Sequence, residues 1–332
     1  MPKIFVSTIP FGETDPSPIR LLKETGWEYK INPLGRKLSP NEVAKLALNC
    51  DGLIAGTEDL RPLIERTNKL KIISRVGIGL DSVPLVLCRE KGITVVYTPD
   101  AVTMAVAEFT LGIMISLTRH TYISDRNIRH GEWKRRQGKR IGKSIIGIIG
   151  LGRIGTNVVK LLVPFRPEEV LINDIKDKSE DIAGFREGGL NIRQVEKKEI
   201  FRNSDIVSIH IPLWSRSRNL INAETLQHFK KEAFLINLAR GGIINEADLY
   251  KALITGQIGG AAIDCFEEEP YCGPLAELDN VLLTQHMGSC SFDCRARMEI
   301  EAARDLIRFF QGKPLMNEVP EEEYFYQYET FA

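Results

Sequence analysis

Runs of β-branched and other apolar residues recur along this chain at a spacing that leaves room for one helix between each pair. In the first hundred residues they occupy positions 3–7, 28–32, 52–56, 71–76 and 94–98. Short apolar runs alternating with helix-length segments predict β-α-β units and a parallel sheet. Between the second and third runs, Ser39-Pro40-Asn41-Glu42 reads as a helix start. It offers a serine cap, a proline in the first turn and a carboxylate at the positive end. After Pro99-Asp100, residues 101–117 are apolar with helical rather than alternating spacing. A second series follows at 144–149, 170–173, 206–211, 233–238, 261–265 and 281–284. Several of these are apolar throughout, the pattern of parallel strands covered by helices on both faces. A last amphipathic helix over 292–311 is closed by Gly312-Lys313-Pro314, a glycine stop.

Composition narrows the class. The 332 residues allow two domains at roughly 150 residues each. Lys plus Arg is 44 and Asp plus Glu is 44, so the basic excess of a nucleic-acid binder is missing. With 43% hydrophobic residues the chain is too apolar for a disordered one. No uninterrupted apolar run approaches ~18 residues, so no membrane span is expected. Met1-Pro2-Lys3-Ile4-Phe5-Val6-Ser7 runs straight into a strand-like stretch without the features of a signal peptide. Cys50, Cys88, Cys265, Cys272, Cys290 and Cys294 form no C-x-x-C pair and read as reduced thiols of a cytoplasmic protein. None of the five histidines sits in H-E-x-x-H, so metal chemistry is not expected.

The sharpest local signal is Gly150-Leu151-Gly152-Arg153-Ile154-Gly155. It follows a predicted strand, opens a helical stretch and is followed by a second strand ending at Asp174. Each part has a mechanical reason. The first glycine allows a tight turn, the second lets the backbone approach a pyrophosphate, and the third lets helix and strand pack closely. The helix N-terminus then offers free N–H groups to the phosphates. A carboxylate at Asp174 suits the adenine ribose hydroxyls and repels the extra phosphate of NADP. Ile175-Lys176 supplies no arginine for that phosphate. NAD is the cofactor expected.

Other segments share a known order. They are Arg75-Val76-Gly77-Ile78-Gly79-Leu80-Asp81, Ala105-Val106-Ala107-Glu108, the glycine loop with Asp174, and His210-Ile211-Pro212-Leu213. Then come Asn237-Leu238-Ala239-Arg240-Gly241-Gly242, Asp264-Cys265-Phe266-Glu267-Glu268-Glu269-Pro270 and Leu283-Thr284-Gln285-His286-Met287-Gly288. In this order they resemble the D-isomer-specific 2-hydroxyacid dehydrogenase family, from about Ile54 to Asn317. The resemblance implies an α/β fold of two Rossmann-like, doubly wound parallel-sheet domains with the active site in the cleft between them. It implies a cofactor domain at 101–290 inserted into a substrate domain made of 1–100 and 291–332, and a homodimer. The cofactor would meet Gly150, Gly152, Arg153, Ile154, Gly155, Asp174, His210, Pro212, Leu238, Ala239, Asp264 and Gly288.

Hydride exchange between a 2-hydroxy acid and NAD needs a carboxylate holder, a group that polarises the carbonyl and a proton carrier. Arg240 suits the first two because its planar fork is always charged. His286 suits the third because imidazole exchanges protons near neutral pH. A neighbouring Glu269 would stabilise the imidazolium and orient the ring. Matching the family's Arg, Glu and His, these three form the expected catalytic set. Glu269 is chosen over its acidic neighbours because it precedes Pro270, as in the family motif; His228 is given no role. In the first domain, the amides of Val76 and Gly77 are expected to bind the substrate carboxylate. Arg75 reaches a distal phosphate or is structural, and Gly56-Thr57 faces the same space.

Three positions depart from the family pattern: Gln285 for proline, Ser82 for asparagine and Trp214 for threonine, the last reshaping the cofactor rim. About 15 residues follow the common core, too few for a regulatory domain. They are acidic and aromatic (Tyr324, Phe325, Tyr326, Tyr328, Phe331) and either dock or fray. The expected partner is a small anionic 2-hydroxy or 2-oxo acid. A phosphorylated three-carbon acid such as 3-phosphoglycerate is plausible on Arg75 and the basic residues of 133–140. The alternatives are a phosphite dehydrogenase-like enzyme and a dinucleotide-sensing, corepressor-like binding protein of the same fold.

Overall fold

The computed structural model describes residues 1–331, without the side chains of Tyr328, Thr330 and Phe331. The chain divides into two compact units, residues 1–102 with 289–332 and residues 103–288.

In the first unit, β1 (Lys3–Val6), β2 (Glu28–Ile31), β3 (Gly52–Ala55), β4 (Ile72–Arg75) and β5 (Thr94–Val96) form a parallel sheet in the order β2-β1-β3-β4-β5. The central strands β3 and β4 are buried at every position, which is why they read as unbroken apolar runs. The helix Pro40–Ala47 begins as its sequence requires. The Ser39 hydroxyl accepts from the Glu42 amide and the Glu42 carboxylate accepts from the Ser39 amide, a reciprocal capping box. The C-terminal helix Phe292–Phe310 returns to this sheet, where Ser74 Oγ donates to Ala302 O at 2.8 Å. Asp305, 1% exposed, accepts the amides of Met316 and Asn317 at 2.9 Å each and ties down the segment that leaves the helix.

The acidic, aromatic tail docks as a helix, Glu321–Phe331. Gln327 accepts the Leu85 amide at 2.7 Å and donates to the carbonyls of Val83 and Leu80 at 2.6 and 3.1 Å. The Arg89 guanidinium stacks 3.7 Å from the Tyr324 ring centroid. The rings of Tyr328 and Phe331, also expected to dock or fray, lie outside the described residues.

The second unit holds a seven-stranded parallel sheet. Its strands are β6 (Ile145–Ile149), β7 (Glu169–Asn173), β8 (Ile192–Gln194), β9 (Ile206–Ile209), β10 (Phe234–Asn237), β11 (Gly260–Ile263) and β12 (Val281–Leu283). Their order is β12-β11-β10-β9-β6-β7-β8. Ile149 lies level with Asn173 on one side and Ile209 on the other. The edge strand β8 is absent from the sequence reading because only Ile192 of its three residues is buried and no apolar run marks it.

In both sheets the strand order reverses once, between β6 and β9 and between β1 and β3. Loops leaving the two strands at a reversal diverge and open a crevice at their carboxyl ends. The loops that begin at Gly150 and His210 flank one crevice. The loops after Val6 and Ala55 flank the other. There the Glu58 carboxylate accepts the Ser7 hydroxyl, and the Gly56 amide at 3.1 Å.

The helix Pro99–Thr118 corrects one expectation. Its mean hydropathy of 1.7 and its length make it apolar enough to cross a membrane, and half of the apolar window is buried inside the protein. Asp100, Thr103, Glu108 and Thr110 interrupt the apolar run but leave its mean high. Thr110 and Thr118 return their hydroxyls to the carbonyls of Val106 and Met114 at 2.7 and 2.8 Å, so these two side chains carry no unsatisfied donor.

Candidate active site

The glycine loop leaves β6 with Gly150 at φ +98°, a region that favours glycine. A Cβ there would stand 2.5 Å from the His210 carbonyl oxygen, and one on Gly155 would overlap the Gly150 carbonyl. A Cβ on Gly152 would meet nothing within 4 Å. The first and third glycines are therefore needed by the protein's own packing, and the second faces open space into which a ligand's phosphates fit. Gly152 caps the helix Arg153–Leu162 with no side-chain hydrogen bond, which suits anion binding at the helix N-terminus.

Asp174 follows β7 and braces this loop. Its Oδ2 accepts the Leu151 amide at 2.7 Å and its Oδ1 the Lys176 amide at 2.9 Å. Each oxygen keeps a lone pair for a ribose hydroxyl. The loop and its carboxylate thus fit a dinucleotide.

His210 leaves β9, its amide donating to Ile149 O at 2.8 Å and its Nε2 2.9 Å from Ser208 Oγ. Burial pushes the imidazole down to about 4, so it is neutral at physiological pH. Pro212 begins a turn in which its carbonyl accepts the Ser217 hydroxyl at 2.7 Å. Trp214 is 8% exposed, its amide donating to Ser217 Oγ at 2.9 Å. The Arg216 guanidinium lies 5.2 Å from its ring centroid.

Arg240 stands three residues beyond β10. The buried Asn237 closes that turn, donating from Nδ2 to Arg240 O at 2.8 Å and accepting the Ala239 amide at 3.1 Å. Leu238 is buried, while Ala239 and Arg240 are half-buried. At Gly241 a Cβ would overlap the backbone of Phe266 and Glu267. Only glycine allows the arginine loop to lie against the loop that carries Glu269.

The histidine is set by a buried carboxylate. Asp264, 1% exposed, accepts the Thr284 hydroxyl at 2.6 Å, the Met287 amide at 2.8 Å and the Gly288 amide at 2.9 Å. Its carbonyl accepts the His286 amide at 2.8 Å. These four bonds hold His286 at φ +50°, where a side chain other than glycine is strained. The His286 Nδ1 then lies 3.0 Å from both oxygens of Glu269, and Glu269 Oε1 also accepts the Phe266 amide at 3.2 Å. The opposite ring nitrogen, Nε2, is turned away from Glu269. Both side chains remain partly open to solvent, 45% for His286 and 39% for Glu269.

In the first unit the expected carboxylate amides are otherwise engaged. The Val76 amide extends the sheet ladder to Ala55 O at 2.9 Å, and the Gly77 amide donates to Thr98 Oγ1 at 2.7 Å. Each of these amides thus has an acceptor within its own unit, and Gly77 turns at φ +130° under the Thr98 hydroxyl. Arg75 is 7% exposed, with its guanidinium folded over Gly77.

Asn237, Thr284 and the clamping geometry of Asp264 carry no signal of their own in the sequence. Asp264 sits in a motif and invites a role, but nothing local shows that its oxygens point at residues 284–288.

Residues 111–288 match the family model described as the NAD-binding domain of D-isomer-specific 2-hydroxyacid dehydrogenases. A glyoxylate reductase of Thermofilum pendens is 35% identical over 330 residues, covering 94% of this chain and 92% of that one. A D-3-phosphoglycerate dehydrogenase of Methanocaldococcus jannaschii is 34% identical over 325 residues, covering 92% of this chain and 58% of the relative's length. A crystal structure of a Thermus thermophilus protein superposes with a TM-score of 0.85 at 29% identity, covering 96% of this chain and all of that one. The chain therefore belongs to the D-isomer-specific 2-hydroxyacid dehydrogenase family and is an NAD-dependent oxidoreductase.

Proposed function

We propose that this enzyme interconverts a small, unphosphorylated 2-oxo acid of the glyoxylate or hydroxypyruvate class and its 2-hydroxy acid, with D stereochemistry where the carbon is chiral. The observation that carries the reading is the pairing of His286 Nδ1 with both oxygens of Glu269 at 3.0 Å, beside the arginine loop that Gly241 holds against the Glu269 loop. NAD(H), when bound, supplies or accepts the hydride. Gly150, Gly152, Gly155 and the first turn after Gly152 hold its phosphates, with Arg153 and Ile154 in that turn. Asp174 takes the adenine ribose. His210, Pro212, Leu238, Ala239, Asp264 and Gly288 border the rest.

His286 gives a proton from Nε2 to the carbonyl oxygen during reduction and recovers it during oxidation. Glu269 makes this possible in two ways. It keeps a proton on Nδ1, so that Nε2 is the nitrogen that cycles, and its charge stabilises the imidazolium. Arg240 binds the substrate carboxylate and polarises the carbonyl.

The buried, folded-back Arg75 favours its structural alternative, and the basic residues of 133–140 lie exposed on the surface. Both facts speak against a phosphorylated substrate. A homodimer in the cytoplasm completes the proposal. The location rests on six cysteines that are free among the described residues, and the dimer on the family resemblance.

The test is loss of NADH absorbance with glyoxylate, hydroxypyruvate, phosphohydroxypyruvate, pyruvate and branched 2-oxo acids. Glyoxylate or hydroxypyruvate should give the highest kcat/KM. A clear preference for phosphohydroxypyruvate would overturn the substrate assignment. His286→Ala should lose about 10²- to 10⁴-fold in turnover, and full turnover in that variant would remove His286 from the mechanism.

A further inference from the structure

The Cys265 Sγ, a carboxylate oxygen of Glu269 and a ring nitrogen of His286 all lie within 4.8 Å of one another. We propose that these three side chains form a binding site for a thiophilic divalent cation, Zn²⁺ foremost, and that its occupancy switches the enzyme off.

Thiolate, carboxylate and imidazole make up a three-ligand zinc donor set whose fourth position is left to water. At bond lengths of about 2.0–2.3 Å, tetrahedral ligands stand about 3.3–3.8 Å apart, so the observed cluster closes by roughly 1 Å. The side chains that must move are the more exposed ones. His286 and Glu269 are 45% and 39% exposed, whereas Cys265 is 2% exposed and its thiol rests 3.6 Å from Ala239 O.

A soft ligand is therefore fixed at the base and two harder ligands stand at the mouth. The Phe266 amide on Glu269 Oε1 already orients the carboxylate, as outer partners do in metal sites. The sequence reading expects no metal because the donors arrive from two loops, after β11 and after β12, with no recognisable spacing.

The thiolate sets the selectivity. Mg²⁺ and Ca²⁺ take oxygen ligands and are excluded, while Zn²⁺ and Co²⁺ accept mixed sulfur, nitrogen and oxygen donors. On binding, the thiol loses its proton to solvent, and the cation displaces the hydrogen bond between His286 and Glu269. An imidazole that holds a cation is no longer the imidazolium that reduction requires. This inhibition rests on the role proposed for His286 and Glu269; the binding itself does not.

The closing experiment separates the two. Co²⁺ is titrated into the reduced full-length protein and followed by its thiolate-to-metal charge-transfer band. Wild type should show the band, and Zn²⁺ should abolish it by competition. Cys265→Ser and Cys265→Ala should lose it and bind at least about 10-fold more weakly. In turnover assays Zn²⁺ should inhibit wild type, and Cys265→Ser, with its metal-free rate retained, should need at least about 10-fold more Zn²⁺ for half-inhibition. Mg²⁺ should do neither. Co²⁺ binding without a Cys265-dependent band would overturn the site, and equal Zn²⁺ inhibition of the Cys265 variants would overturn the switch. A Cys265-dependent band with undiminished turnover would keep the site and overturn the role given to His286 and Glu269.

Discussion

The Asp264 carboxylate accepts three donors from residues 284–288, and the position of His286 follows from that. One oxygen receives the Thr284 hydroxyl and the Met287 amide, the other the Gly288 amide. An amide in its place keeps one oxygen and turns an NH₂ group toward a donor. Asp264→Asn should therefore destabilise the protein by about 2 kcal/mol and lower kcat at least about 10-fold while leaving the fold intact. Thermal melts and steady-state kinetics on the same preparation check both.

His210 makes a second prediction at this scale. Its folded value near 4 lies below the ordinary imidazole value of 6.5, so between those pH values the unfolded chain binds more protons than the folded one. Stability should fall as pH drops from 6.5 toward 4, by at most about 3 kcal/mol from this residue. It should be undiminished by His210 above 6.5. Denaturant melts of wild type and His210→Asn at pH 5 and pH 7 should show a smaller pH difference in the variant.

At the level of elements, two loops are held together by the absence of a side chain. Gly241 lets the turn after β10 lie on the backbone of Phe266. Gly241→Ala must part the loops, which costs about 1–3 kcal/mol. It should depress kcat/KM while leaving NADH binding, measured by fluorescence titration, nearly unchanged. The docked helix Glu321–Phe331 depends on one amide that serves the backbone of residues 80–85 three times. Gln327→Ala should cost about 1–3 kcal/mol by leaving buried groups unpaired, without changing turnover.

Most elements were legible as apolar runs because parallel strands buried on both faces carry no polar alternation. Strand β8 was not, since an edge strand of three residues needs little apolar content. Nor was the acceptor of the Gly77 amide, because a hydrogen bond to Thr98 Oγ1 leaves no mark in composition. Trp214 illustrates the same limit. Its departure from the family pattern was visible, but its burial in the turn after Pro212 was not.

At the level of the whole molecule, both sheets reverse their strand order once, and each crevice gathers polar groups from loops distant in sequence. The place of Asp174 beside the glycine loop makes a prediction about which dinucleotide the second unit accepts. NADH should be strongly preferred to NADPH. Asp174→Asn keeps an acceptor for the Leu151 amide but removes the charge, and should narrow that preference in paired kcat/KM measurements. The sequence by itself determined the alternation of strands and helices and the glycine loop, and singled out Arg240, Glu269 and His286 as candidates. These depend on local spacing and on chemistry that few residue types perform. Only the tertiary structure decided that Asp264 clamps the histidine turn, that the Val76 and Gly77 amides are already donated, that Arg75 folds inward and that Cys265 meets Glu269 and His286. Each is a contact between segments that sheet order brings together, and the direction of a hydrogen bond or the room for a Cβ is set by that packing.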